Sequence, residues 1–378
     1  MKLLEDVLVV DFTQFLSGPV ATLRLADFGA RVIKIEKPIT GDLCRELYVS
    51  NVEINGESSL FRAINRNKES FCANLKDEKD FEIIKKLITK ADVLVHNFRP
   101  GVMQRFGLSF EEVQQINPEI IYAEISGYGN KGPWKNKPGQ DLLMQSISGI
   151  THLSGNNGDG PVPLGLPVAD MFAGAHLAQG ILAALLQKQQ KNTGCKVSVN
   201  MLESILDLQF ETITTYFHDG GQATQRTKTN NAHAYLGAPY GIYKTANGHM
   251  ALAMGNISFL GELLSCQELV PYTNFKDWFT KRDKIKSVLA NHLETKSTEH
   301  WLSILEPADI WCADVMDWER LFKHEGFKIL KMLQTVTMTD GFQYETTRCP
   351  IRFDENILTS EKGSPKLGED NQQILSKI

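Results

Sequence analysis

Two hydrophobic periods alternate through the first two hundred residues. Short runs of β-formers recur at VLVVD (7–11), RVIKIE (31–36), ADVLVHN (91–97), EIIYAEI (119–125) and CKVSVN (195–200). Between them lie segments of helical period: ATLRLADF (21–28), FEIIKKLITK (81–90), SFEEVQQI (109–116), a small-residue stretch over roughly 170–190, and MLESILDLQF (201–210). Local signals mark several ends. Ser17 reads as the cap of the first helix with Pro19 just inside it, Gly29 as its stop, and Ser109 with Glu112 as a capping box. A strand, a helix and a second strand in succession imply a parallel pair with a right-handed crossover. The repeated pattern predicts an α/β fold with an open, doubly wound sheet.

The pattern changes near 219–232, where DGGQATQRTKTNN is polar and rich in turn-formers, as a linker is. Beyond it, YGIYKTANGHMALAM (240–254) predicts a hairpin turning at Asn247-Gly248, and helices follow over 281–294 and 298–305. These make a second, smaller α+β unit. The last sixty residues, WERLFKHEGFKILKML and then a strand pair, belong to neither pattern on periodicity alone.

Composition narrows the class. A length of 378 residues suits about two domains, and 42% apolar with 22% charged residues is ordinary for a globular chain. The formal charge of -5 argues against nucleic acid or an anionic membrane as partner, and no apolar run approaches the ~20 residues of a bilayer span. The start MKLLEDVLVV carries Glu5 and Asp6 and does not read as a signal peptide. Six scattered cysteines without a CxxC pair, and nine histidines without ligand spacing, imply reduced thiols, a cytoplasmic location and no metal.

Four motifs carry candidate chemistry. GYGNKG (127–132) matches the dinucleotide fingerprint, but Pro133, Trp134 and Lys135 follow where a helix is required, so we read it as a loop. NFRPG (97–101) follows a strand, where open α/β sheets bind ligands; Asn97 could bond a base or ribose, Phe98 stack on adenine, and Arg105 pair with phosphate. The simpler reading makes Phe98 core and Arg105 a solvated helix residue. Asp170, in GLPVADMFAG, sits at a helix start among small residues, where free N–H groups favour an ionised carboxylate able to attack a thioester. On spacing alone the plain N-cap reading is favoured for it. Gln140 can orient or donate a hydrogen bond but cannot abstract a proton, and His152, His176 and His218 form no triad.

Taken together, DFTQFLSGPVATLRLADFGARVIKIEKPITGD (11–42), NKESFCANLK (67–76), HNFRPGVMQRFG (96–107), SGYGNKGPW (126–134), KPGQD (137–141), LPVADMFAG (166–174), APYGIYKTANGHMALAMGN (238–256) and PKLGEDNQQIL (365–375) resemble the class III coenzyme A transferases, the CaiB/BaiF family that includes formyl-CoA transferase and carnitine CoA-transferase. The resemblance implies a Rossmann-like large domain built from both chain ends (1–200 and 330–378), an inserted small domain (228–312), linkers at 201–227 and 313–329, and an interlocked homodimer. It implies Asp170 as nucleophile, passing through aspartyl anhydrides and an aspartyl-CoA thioester. Backbone N–H groups near Ser17 or in the 254–256 turn would stabilise the oxyanions. It places coenzyme A on Phe15, Leu16, Lys37, Ala73, Lys76, Asn97, Phe98, Arg105 and Lys137, as substrate with an acyl group and not as a permanent cofactor. Leu47 and Leu16 replace a tryptophan and a glutamine of the oxalate enzymes, and YLGAPYG lacks their glycine run, which points to a C4 to C6 dicarboxylate as acceptor. The related 2-methylacyl-CoA racemases have a histidine where this chain has Gln140, so a racemase lacks its second base here. A coenzyme A-binding paralogue without catalysis is the remaining alternative.

Overall fold

The computed structural model describes residues 3–47, 49 and 51–377. The chain divides into two compact units, the first formed by 1–144, 167–208 and 329–378, the second by 145–166 and 209–328.

In the first unit, β1 (Leu8–Asp11), α1 (Ser17–Asp27), β2 (Arg31–Glu36), β3 (Glu69–Cys72), α2 (Glu78–Lys90), β4 (Val93–His96), α3 (Val102–Arg105), α4 (Phe110–Ile116), β5 (Ile121–Ser126), α5 (Asp141–Ser148), α6 (Val168–Lys191), β6 (Cys195–Asn200) and α7 (Met201–Asp207) follow in order. The strands form one parallel sheet in the order β3-β2-β1-β4-β5-β6. Chain direction along the sheet therefore reverses between β1 and β4, and at such a switch point the carboxyl ends of the strands leave a crevice. Central strands are buried on both faces: Val9, Val10, Val93, Leu94 and Val95 are all fully covered. One face packs on α2 and α4 through Ile84, Leu87, Ile88, Leu108 and Val113. Helix α6 is long and apolar enough to cross a membrane by composition; it packs instead along α1, α7, β5 and β6.

Local signals were read correctly at the Ser109–Glu112 box and at Gly29, whose φ of 101° ends α1. Ser17 is different. It is the first helical residue, Leu16 is the N-cap, and no side chain caps the helix end.

The chain end returns to the first unit. A hairpin, β7 (Leu333–Thr337) and β8 (Gln343–Thr347), follows two short helices at 318–330. Then Asp370 and Asn371 accept hydrogen bonds from the N–H groups of Ser70 (2.8 Å) and Cys72 (2.9 Å), so side chains satisfy the open edge of β3.

The second unit has its own core of Tyr243, Met250, Leu252, Ile257, Ile285, Leu289 and Trp301. Its strands β9 (Gly241–Lys244), β10 (His249–Leu252) and β11 (Cys312–Asp314) pair antiparallel, the first two across the Asn247-Gly248 turn. The division differs from the expected domains at three places. Residues 145–166 belong to the second unit because Asn231 donates to the carbonyls of Leu153 and Gly155, and Asn157 donates to that of Thr227. The expected linker 201–227 holds α7 and a helix, α8 (Phe210–His218), on either side of the boundary. The linker expected at 313–329 is partly helical.

Candidate active site

The loop after β1 is built on buried charge. Asp11, fully buried, accepts from the N–H and hydroxyl of Thr13, from Thr22 and from the ammonium of Lys68 (3.2 Å). Lys34 donates to the Thr13 carbonyl at 2.7 Å and pairs with Asp42 at 2.8 Å; Asp42 in turn accepts from the N–H of Phe15. Burial pushes the Lys68 ammonium down to about 8 despite Asp11 beside it. Each of these buried ions is paired and hydrogen-bonded, which burial of charge demands. Phe15 holds a left-handed φ of 60°, a strained conformation for an aromatic residue, and its ring is exposed.

This fixed loop delivers Ser17 to the head of α6. Gly174, one turn beyond Asp170 in α6, makes that approach feasible: a Cβ there would lie 2.6 Å from the Ser17 carbonyl oxygen. Asp170 is the third residue of α6, not its N-cap; the N-cap position is Pro167, which offers no side-chain bond. The hydroxyl and the backbone N–H of Ser17 face the Asp170 carboxylate and pull its pKa down. Burial, then the charge of Asp141, outweigh that pull and raise the carboxyl from 3.8 to about 6. Burial is the larger reason that the expected stabilisation by the helix end is overridden; beside it, Asp141 Oδ1 accepts from the N–H of Ala169 at 2.7 Å and of Asp170 at 3.3 Å. It occupies the positive pole that would have favoured the Asp170 anion.

The nine expected coenzyme A positions fall mostly at one place. Phe15 and Leu16 follow β1, Lys37 follows β2, Ala73 and Lys76 follow β3, and Asn97 and Phe98 follow β4. These are the carboxyl ends of four adjacent strands, at the switch point. Arg105 ends α3, and Lys37, Lys76 and Arg105 are solvent-exposed cations. Ala73 is buried; Leu16 packs on Val20, Cys44 and Phe61. Asn97 also has a partner within the protein. Its amide exchanges two hydrogen bonds with the backbone of Gln14 (2.7 and 2.8 Å), so it latches the β1 loop to β4. Phe98 is half-buried, stacked on His96, and lines a cavity of about 240 Å³ with Arg99, Tyr122, Glu124 and Lys196. Lys137 is exposed, its ammonium 6.0 Å from the Trp134 ring.

The 127–139 loop closes on itself where Gly127 and Gly139 touch, leaving no room for a Cβ on either. His176 bonds to Ser204 and faces Asp207. Met254 to Asn256 lie in the second unit, where Asn256 caps the helix Ile257–Leu263. Among the described residues no three His, Cys, Asp or Glu side chains form a metal-binding group. Asp141 lies inside KPGQD, where nothing in the local pattern announces a partner 29 residues away.

The profile of CoA-transferase family III matches residues 4–371. The chain belongs to that family. This CoA-transferase is 29% identical to the succinyl-CoA:glutarate CoA-transferase of Mus musculus over 384 residues, covering 100% of this chain and 87% of that one. It is 32% identical to the acetyl-CoA:oxalate CoA-transferase of Acetobacter aceti over 320 residues, 83% of this chain and 80% of that one. Among solved structures, a CAIB/BAIF family protein from Brucella suis superposes with a TM-score of 0.84 at 27% identity, over 98% of each chain.

Proposed function

We propose that this CoA-transferase moves coenzyme A from an acyl-CoA to a dicarboxylic acid, with Asp170 as nucleophile. The observation that carries the reading is the Asp170 carboxylate itself, half-buried, faced by the hydroxyl and N–H of Ser17 and with its carboxyl at about 6. It is ionised at neutral pH yet more basic than an exposed aspartate, as a nucleophile should be. One oxygen adds to the thioester carbonyl; the carbon–sulfur bond breaks, giving a mixed anhydride and the thiolate. The thiolate then attacks the aspartyl carbonyl, forms the aspartyl-CoA thioester and expels the donor acid as carboxylate. An incoming carboxylate repeats the two steps in reverse, regenerating Asp170 and leaving as a new acyl-CoA. Ser17, with an N–H and a hydroxyl at the reacting carboxyl, would stabilise the tetrahedral oxyanions.

For the carrier, the exposed cations Lys37, Lys76, Arg105 and Lys137 would meet phosphates, and Phe98 the adenine. The named relatives act on glutarate and oxalate, both dicarboxylates. Leu47 and Leu16 favour a C4 to C6 acceptor over oxalate. We also propose a homodimer: α8 buries none of its side chains, and Phe210 and Phe217 are about 70% exposed.

Exchange from succinyl-CoA or acetyl-CoA into a panel of mono- and dicarboxylic acids, followed by mass spectrometry, tests the reading. Hydroxylamine added during turnover should leave a hydroxamate on Asp170, and Asp170→Ala should reduce exchange to background. Full turnover by a folded Asp170→Ala variant would refute the mechanism.

A further inference from the structure

Helix α6 presents the free N–H groups of its first turn close to the reacting carboxylate. Two of them, those of Ala169 and Asp170, are taken by a single oxygen of Asp141, at 2.7 and 3.3 Å. A carboxylate that belongs to another helix, α5, therefore caps α6 from outside. An asparagine would serve as such a cap about as well as an aspartate. The negative charge is thus not what capping requires, and it carries a cost, since it lies beside a second carboxylate.

We propose that Asp141 is a positioning residue whose charge sets the reactivity of Asp170: it withholds the first-turn N–H groups from Asp170 and repels the Asp170 anion. The inference rests on Asp170 being the nucleophile. Acylation of Asp170 converts an anion into a neutral anhydride or thioester, so the repulsion present in the resting enzyme vanishes in the covalent intermediates. The resting state is raised relative to them, and the first addition gains. Asp141 exchanges no proton and forms no bond in the cycle.

Burial and the Asp141 charge raise the Asp170 carboxyl, and Ser17 lowers it. On the elements packed against α6, Glu203 of α7 is exposed to solvent and most other charges have partners of their own. Arg24 and Asp27 of α1 bond to each other, Glu124 of β5 pairs with Lys196 of β6, and Asp207 of α7 faces His176.

Asp141→Asn keeps an oxygen for the cap and removes the charge. We expect the acid limb of kcat/KM to move down by about one pH unit, with kcat lowered and KM for the acyl-CoA little changed. Asp141→Ala removes the cap as well, and should also lower the urea midpoint. A second measurement needs no turnover: urea midpoints at pH 5 and pH 8 for Asp141→Asn, Asp170→Asn and the double variant. Charge coupling predicts non-additive midpoints at pH 8 and additive ones at pH 5. An unmoved acid limb in Asp141→Asn together with additive midpoints at pH 8 would overturn the proposal and leave Asp141 a structural cap. If instead Asp170→Ala still turns over while the midpoints remain coupled, the nucleophile assignment fails and the pairing stands.

Discussion

At Asp170 two requirements conflict, and the conflict is measurable as stability. Its carboxyl titrates at about 6 in the folded chain against 3.8 in the unfolded one, through burial and Asp141. Between those values the native state holds more protons than the unfolded state, so stability falls as pH rises from about 4 through 6, and the penalty is complete above it. Asp170→Asn should therefore be more stable than the parent at pH 7.5, by on the order of 1–3 kcal/mol. The gain should disappear below pH 4. Urea melts at the two pH values check this, and an inactive but hardier variant is the expected outcome. Activity follows the opposite course, since only the ionised form attacks: kcat/KM should decline below about pH 6.

The elements are held by contacts that tolerate little change. Gly174 lets the start of α1 lie against α6, with the Ser17 carbonyl 2.6 Å from where a Cβ would stand. In an isolated helix Gly174→Ala would be favourable, by about 1 kcal/mol. Here we expect net destabilisation of about 1–3 kcal/mol from forced separation of the two helices, and a loss of exchange activity out of proportion to it as Ser17 withdraws from Asp170. Equilibrium unfolding beside the exchange assay separates the two effects. At the far edge of the sheet, Asp370→Ala would strip the buried Ser70 N–H of its acceptor, costing about 1–3 kcal/mol. The β1 loop and Ser17 lie two strands away from Asp370, so kcat should hold in that variant when it is assayed well below its melting temperature.

Across the whole molecule, apolar side chains remain uncovered on α8, and the proposed homodimer accounts for them. Light scattering on the eluting protein should report two chains per particle. Phe210→Asp combined with Phe217→Asp should shift it toward one chain. A parent chain that elutes as a monomer at micromolar concentration would remove the dimer.

Most strands and helices of both units were legible along the chain because their signals are local: a period of two or 3.6, a glycine stop, a capping box; the short strands at 69–72 and 312–314 carry too little pattern to be read that way. The place of Phe98 just past a strand, in NFRPG, was legible too; strand order, and with it the switch point that gathers Lys37, Ala73 and Lys76 at neighbouring strand ends, was not. What tertiary structure decided was which polar group meets which. Asn97 turned out to bond the Gln14 backbone, Ser17 to face Asp170 instead of capping its own helix, and residues 145–166 to join the second unit. The meeting of Asp141 with the head of α6 is of the same kind. Ion pairing and hydrogen bonding fall off within a few ångströms, and only the packed chain brings residues 29 or 83 positions apart within that range.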